Sequence, residues 1–205
     1  MKKEVLSSPI RWAGSKKRVL NEMLESFSKK KNNYIEPFLG SGVVMLNVIN
    51  NIEELKYENI YVNDVNKNII DFYKNLKNKP KELIEKLNKI STIYNNKIMS
   101  EKEEYFYEIR NKFNSISEDK PIYFYFLMKV GFNGVYRENK RGEYNVPFGK
   151  KEKFIINCYK FKEYCWAISI KLKEKTVKIY DKRVFCSGKE YKMLKNIDAK
   201  LQKNA

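Results

Sequence analysis

Tyr34-Ile35-Glu36-Pro37-Phe38-Leu39-Gly40-Ser41-Gly42 is the stretch on which the fold turns. Asn33 to Phe38 is short and apolar enough for a strand, and Val43 to Val48 continue as a helix. Between them Gly40 and Gly42 let the backbone turn tightly and approach a ligand with no Cβ in the way, while the following helix N-terminus faces that ligand. Strand, glycine turn and helix in this order make a nucleotide-binding unit. Taken alone, such a turn is more often only a strand-to-helix connection. Asp64 sharpens the reading, because it lies 22 residues past Gly42 at the end of the next strand candidate, Ile60 to Val62. A carboxylate there can accept both ribose hydroxyls of a nucleoside. The same residue could instead cap a helix beginning at Val65.

Toward the N-terminus, Ser8-Pro9-Ile10-Arg11-Trp12-Ala13-Gly14-Ser15-Lys16 leads into Leu20, Met23, Leu24 and Phe27 at helical spacing. An indole in that loop can enclose a cationic group, and a lysine at a helix start can meet a carboxylate. In isolation the pair is more often a buried Trp and a solvated Lys. Downstream, Ile69, Ile70, Tyr73 and Leu76 mark one helix. Leu83, Leu87, Ile90, Tyr94 and Ile98 mark a second, and Phe106, Ile109, Phe113 and Ile116 a third, which Ser100 and Glu103 would open as a capping box. Ile122 to Val130 is an apolar run that periodicity cannot assign, and Thr176 to Tyr180 alternates as a strand. Gly131 to Gly149 reads as a glycine-punctuated loop with solvated charges.

The three motifs at Ser8 to Lys16, Tyr34 to Gly42 and Tyr61-Val62-Asn63-Asp64 resemble, in order, the S-adenosylmethionine-binding motifs of Dam-like adenine-N6 DNA methyltransferases. Gly131-Phe132-Asn133-Gly134-Val135-Tyr136-Arg137-Glu138-Asn139 and Arg141-Gly142-Glu143-Tyr144-Asn145-Val146-Pro147-Phe148-Gly149 are similar to the DNA-reading element of the same family. Arg11 stands where the family usually has lysine, and Ser15 where it has a second glycine. The resemblance implies an α/β fold, a Rossmann-like methyltransferase sheet with an inserted helical DNA-recognition region. Residues 1-77 would bind the cofactor, 78-165 would form the insertion, and 166-205 would return to the sheet and end in a basic tail. That inserted context selects helix for Ile122 to Val130. Trp12, Lys16, Phe38, Gly40, Gly42 and Asp64 would bind S-adenosylmethionine, with no metal. Arg11, Phe132, Asn133, Val135, Arg137 and Asn139 would contact double-stranded DNA, with Phe132 wedging into the stack and Arg137 gripping a guanine.

The family's catalytic Asp-Pro-Pro-Tyr does not occur in this sequence. The prolines are Pro9, Pro37, Pro80, Pro121 and Pro147, none beside another, and Asp181 and Asp198 have neither the prolines nor the aromatic. No catalytic residue is assigned. The expected activity, adenine-N6 methylation of the kind used in restriction and modification, is therefore expected of the family, and this chain is expected to be an inactive or incomplete form. The alternatives are a non-catalytic DNA-binding protein or one part of a split methyltransferase, with a second polypeptide or self-association covering an open sheet edge.

Composition agrees with a polyanionic partner without requiring one. Lys and Arg number 42 against 25 Asp and Glu, a net charge of +17, and such charge favours phosphate binding by counterion release. Abundant Lys, Asn and Ile are also what an AT-rich coding sequence gives. The tail from Lys171 to Ala205 carries 11 Lys and Arg against 4 Asp and Glu. Absence of histidine excludes Ser-His-Asp and Cys-His catalysis and histidine-ligated zinc. Cys158, Cys165 and Cys186 lack paired spacing and read as thiols of a reducing cytosol. No apolar run approaches about 18 residues, so the expected location is cytoplasmic, away from membranes.

Overall fold

Three short parallel strands, two from the N-terminal part and one from beyond residue 165, form the sheet. In the computed structural model, which describes residues 5–27, 32–115, 118–156 and 159–181, β1 (Asn33–Glu36), β2 (Asn59–Asn63) and β3 (Thr176–Tyr180) form one sheet in the order β1-β2-β3. Register runs Asn33 opposite Asn59 and Asn59 opposite Thr176. Ile60, Tyr61 and Val62 are buried on both faces of the middle strand, as a parallel strand covered by helices requires. α1 (Leu20–Ser26) follows a 3-10 turn at Lys16–Val19; α2 (Val43–Asn50), α3 (Ile52–Leu55) and α4 (Lys67–Asn78) alternate with the strands. This is the helix-covered parallel sheet of a Rossmann-like fold.

α2 is apolar on nearly every side and buried along its length. Its one buried polar side chain, Asn47, accepts from the Leu6 N–H and donates to the Leu6 and Val43 carbonyls, all at 2.8 Å. Both ends of the amide are thereby satisfied, and the segment before the first motif is pinned to α2.

α5 (Pro80–Asn95), α6 (Met99–Asn114), α7 (Lys120–Val130) and α8 (Tyr159–Glu174) lie between β2 and β3. The apolar run is a helix, α7, with Pro121 in its first turn, where the missing N–H costs nothing. Its Phe124, Tyr125, Phe126, Leu127 and Met128 are all buried. Tyr125 stacks on Phe72 of α4 at 5.5 Å and 13°, so α7 and the helices around the sheet share one hydrophobic core.

Three details differ from expectation. α5 stops at Asn95, and Ile98 is exposed ahead of α6, because the chain turns at Asn96 and Lys97. α6 begins at Met99, so Ser100 is inside its first turn; the Ile98 N–H donates instead to Glu101, at 3.1 Å. The boundary expected after residue 165 falls within α8, whose Phe161, Cys165, Ile168 and Leu172 pack inward along one continuous helix. Cys165 is buried, and burial pushes its thiol up to about 12. Ile116, Cys158, Cys186 and Asp198, and the tail beyond Asp181, lie outside the described residues. Among the described residues no helix is long and apolar enough to cross a membrane.

Candidate functional site

The turn after β1 is built by its neighbours across the sheet. The Leu39 N–H donates to the Asn63 carbonyl at 2.8 Å, and Asn63 Nδ2 donates to the Pro37 carbonyl at 3.0 Å. These bonds carry Gly40 over the end of β2, where its N–H donates to Asp64 Oδ2 at 2.8 Å. The other carboxylate oxygen, Oδ1, accepts the Asn66 N–H at 2.8 Å. Asn66, not Asp64, caps α4, accepting the Asn68 N–H. Asp64 thus fastens two loops, and each of its oxygens carries a second lone pair.

Around this point Trp12, Ala13, Gly14, Ser15, Lys16, Glu36, Phe38, Leu39, Gly40, Ser41, Val43, Val44 and Asp64 line a cleft of about 290 Å³. That volume is at the small end of the range for small-molecule sites. Five of the six residues expected at the cofactor are brought together here: Trp12, Lys16, Phe38, Gly40 and Asp64. Gly40 has φ +51, and a Cβ on it would lie 3.3 Å from the Trp12 ring, so the turn and the indole approach as closely as they do only with glycine. The sixth, Gly42, is not a lining residue; it sits behind the cleft at the start of α2, against Tyr73.

Glu36 also lines the cleft, though the sequence reading did not single it out. Burial pushes its carboxyl up to about 8, against the opposing effect of hydrogen bonds from the Tyr34 hydroxyl and the Met45 N–H. A cation entering the cleft would favour its ionisation. Its place in Glu-Pro-Phe, at the carboxyl end of a strand before a Gly-x-Gly turn, is the signal that could have found it.

The second assembly is the segment from Gly131 to Gly149, which closes into a hairpin. Gly131 bridges Phe148, Glu138 bridges Tyr144, and backbone bonds join Phe132 to Pro147 and Gly149 to Val130. Asn114, the last residue of α6, takes both backbone groups of Tyr144 through its amide, at 2.9 and 3.0 Å. On the outer surface Phe132 is 53% and Val135 45% exposed, and Asn133 is exposed with φ 53. Arg137 is exposed and held by Asn145, its Nε donating to Oδ1 at 2.8 Å. Asn139 is committed locally: its Oδ1 accepts the Arg141 and Glu143 N–H groups, and its Nδ2 donates to Glu143 at 2.7 Å. Arg11 is exposed beside the hairpin base, where a Cβ on Gly134 would lie 3.1 Å from its Cδ.

The model of the D12 class of N6 adenine-specific DNA methyltransferases matches residues 12–196. This chain belongs to that class. Among curated relatives it is 33% identical over 151 residues to the type II methyltransferase M.MjaIII of Methanocaldococcus jannaschii, an alignment covering 69% of this chain and 51% of the relative. It is 34% identical over 142 residues to the DNA adenine methylase of Haemophilus influenzae, covering 68% and 46%. With the DNA N-6-adenine-methyltransferase of Escherichia phage P1 the identity is 34% over 146 residues, covering 70% and 18%. The chain spans about half the length of the first two.

Proposed function

We propose that this chain binds S-adenosylmethionine in the cleft and duplex DNA along the hairpin, the two binding tasks of adenine-N6 methylation. The observation that carries the proposal is the adjacency of the two: Trp12 walls the cleft, and Arg11, its neighbour, packs against the hairpin base. The chemistry of the lining fits the cofactor. Asp64 offers acceptors to ribose hydroxyls, Lys16 a cation to a carboxylate, and Trp12 an aromatic face near cationic charge. When bound, S-adenosylmethionine supplies an electrophilic methyl group. Phe132, Asn133, Val135 and Arg137 form the proposed DNA-contacting edge with Arg11, and the surrounding lysines supply phosphate contacts. Asn139 is left out of that set because its amide shapes the turn. A cytoplasmic location is part of the same proposal.

Selection of bound duplexes from a random-sequence pool tests the DNA half. Arg137→Ala is expected to relax preference at one base pair by about 1–3 kcal/mol. Loss spread evenly over all sequences would make Arg137 a phosphate contact instead.

A second reading, one part of a split or self-associating enzyme, is favoured by a specific feature. Among the described residues β1 pairs only with β2, and Ile35 on it is 46% exposed. A free strand edge with an exposed apolar side chain invites pairing with another chain. The 205 residues also contain no Asp-Pro-Pro-Tyr. Purified residues 1 to 205 with labelled S-adenosylmethionine and duplex DNA are expected to bind both and transfer no methyl. Transfer restored by adding a polypeptide that carries Asp-Pro-Pro-Tyr supports the split, and turnover by these residues alone excludes it.

A further inference from the structure

Tyr136 lies between the cleft wall and the hairpin. Its ring lies 5.3 Å from that of Trp12 with a 35° tilt, and 5.9 Å from Phe124 and 5.6 Å from Tyr144 on its other sides. Its hydroxyl accepts from Asn68 Nδ2 at 2.8 Å and donates to the Glu138 carboxylate. Asn68 is in the first turn of α4, bonded to the cap Asn66, whose own N–H is held by Asp64. One half-buried side chain therefore joins a wall of the cleft, the turn that holds Asp64, and the hairpin. Its sequence neighbours Val135 and Arg137 are both exposed, so fixing the Tyr136 ring fixes what the hairpin presents on either side of it.

Trp12 is half-buried and packs against the edge of the hydrophobic core. Arg11, Ala13, Gly14, Ser15 and Lys16 around it are exposed, and the indole is braced by Gly40 on one side and Tyr136 on the other. A ligand that shifts the indole shifts the tyrosine packed on it, and DNA seated on the hairpin bears on the same ring from the other end. Whichever ligand binds first settles that arrangement of the rings, and the second meets it already formed.

We propose that Tyr136 is a positioning residue that couples the two sites, so that S-adenosylmethionine and DNA each raise the affinity for the other. This rests on the functional reading above and adds a residue and a linkage to it. Coupling between binding sites is reciprocal, so the same factor must appear from either side. Glu138 and Asn68 transmit the coupling through the hydroxyl, and Trp12 through the ring.

The test is titration calorimetry of S-adenosylmethionine into the chain, free and saturated with a duplex recovered from the random pool, for wild type, Tyr136→Phe and Tyr136→Leu. Wild type is expected to bind the cofactor about fivefold or more tighter when DNA is present. Tyr136→Phe should lose at least half of that factor, and Tyr136→Leu should bring it near one. A merely structural defect weakens each ligand by itself and leaves the ratio intact. An unchanged ratio in Tyr136→Leu overturns the proposal, as does a wild-type ratio of one with both ligands bound. Should Tyr136→Leu fail to fold, a Tyr136→Phe ratio equal to that of wild type overturns it. Failure of wild type to bind cofactor or DNA is a distinct result, and overturns the functional reading together with the linkage built on it.

Discussion

Gly42→Ala is expected to cost this protein about 3 kcal/mol or more of folding stability, although it adds a single methyl group. Gly42 adopts φ +73 at the start of α2, a left-handed conformation that charges an L-residue roughly 1–2 kcal/mol. The added Cβ would lie 2.5 Å from the Tyr73 hydroxyl oxygen and 2.6 Å from its Cζ. Tyr73 cannot swing aside. It is fully buried, packs edge-on to Phe72, and donates from its hydroxyl to the Ser41 carbonyl at 2.6 Å. Overpacking of this kind costs about 1–3 kcal/mol, and a displaced buried hydroxyl adds a comparable penalty. Against a typical domain stability of about 5–15 kcal/mol the sum is a large share. Urea unfolding followed by circular dichroism measures it. In a Tyr73→Leu background, where the ring is gone, the same substitution should cost only the backbone term of about 1–2 kcal/mol. A cost under 1 kcal/mol in the wild-type background would show that the turn relaxes around the methyl group.

That role for Gly42 marks the limit of what could be read in the sequence. Gly40, Gly42 and Asp64 were legible as a glycine turn and a strand-end carboxylate because glycine spacing and strand ends are local signals, and of the three Gly40 and Asp64 line the cleft. Which glycine lines the cleft and which faces Tyr73, 31 residues later in the chain, depends on packing between α2 and α4 that no local pattern encodes. The same holds for Tyr136, whose partners Trp12 and Asn68 are distant in sequence. It holds for Asn139 too, whose amide is used by Arg141 and Glu143 once the hairpin closes. α8 is a different case. Phe161, Cys165, Ile168 and Leu172 recur at helical spacing, but the exposed Trp166 and Ile170 among the charges of the outer side blur that stripe. Strands β1 and β3 were found for the opposite reason: both are short, bounded and rich in residues that suit a half-buried pleat.

Asp64→Ala should fail twice, and the two failures can be measured apart. In the folded protein the carboxylate accepts the Gly40 and Asn66 N–H groups, each at 2.8 Å, and is only 8% exposed. Hydrogen bonds to a charged group contribute about 1.5–3 kcal/mol each. Part of that loss is recovered where water reaches the bared N–H groups, so a destabilisation of about 2–4 kcal/mol is expected from denaturant unfolding. Cofactor affinity, measured by calorimetry at a temperature where both proteins remain folded, should fall about tenfold or more, the loss of roughly 1.5–3 kcal/mol of charged ribose contacts. Asp64→Asn separates the two effects further. Its amide keeps one acceptor oxygen but turns two donor hydrogens toward either Gly40 or Asn66, so one backbone N–H loses its partner and the ribose loses a charged acceptor. Its stability should fall between that of wild type and Asp64→Ala, with affinity reduced nearly as far as in the alanine variant. Equal affinity in wild type and Asp64→Ala, with both folded, would remove Asp64 from the cofactor site and leave it only as the fastener between the Gly40 turn and α4.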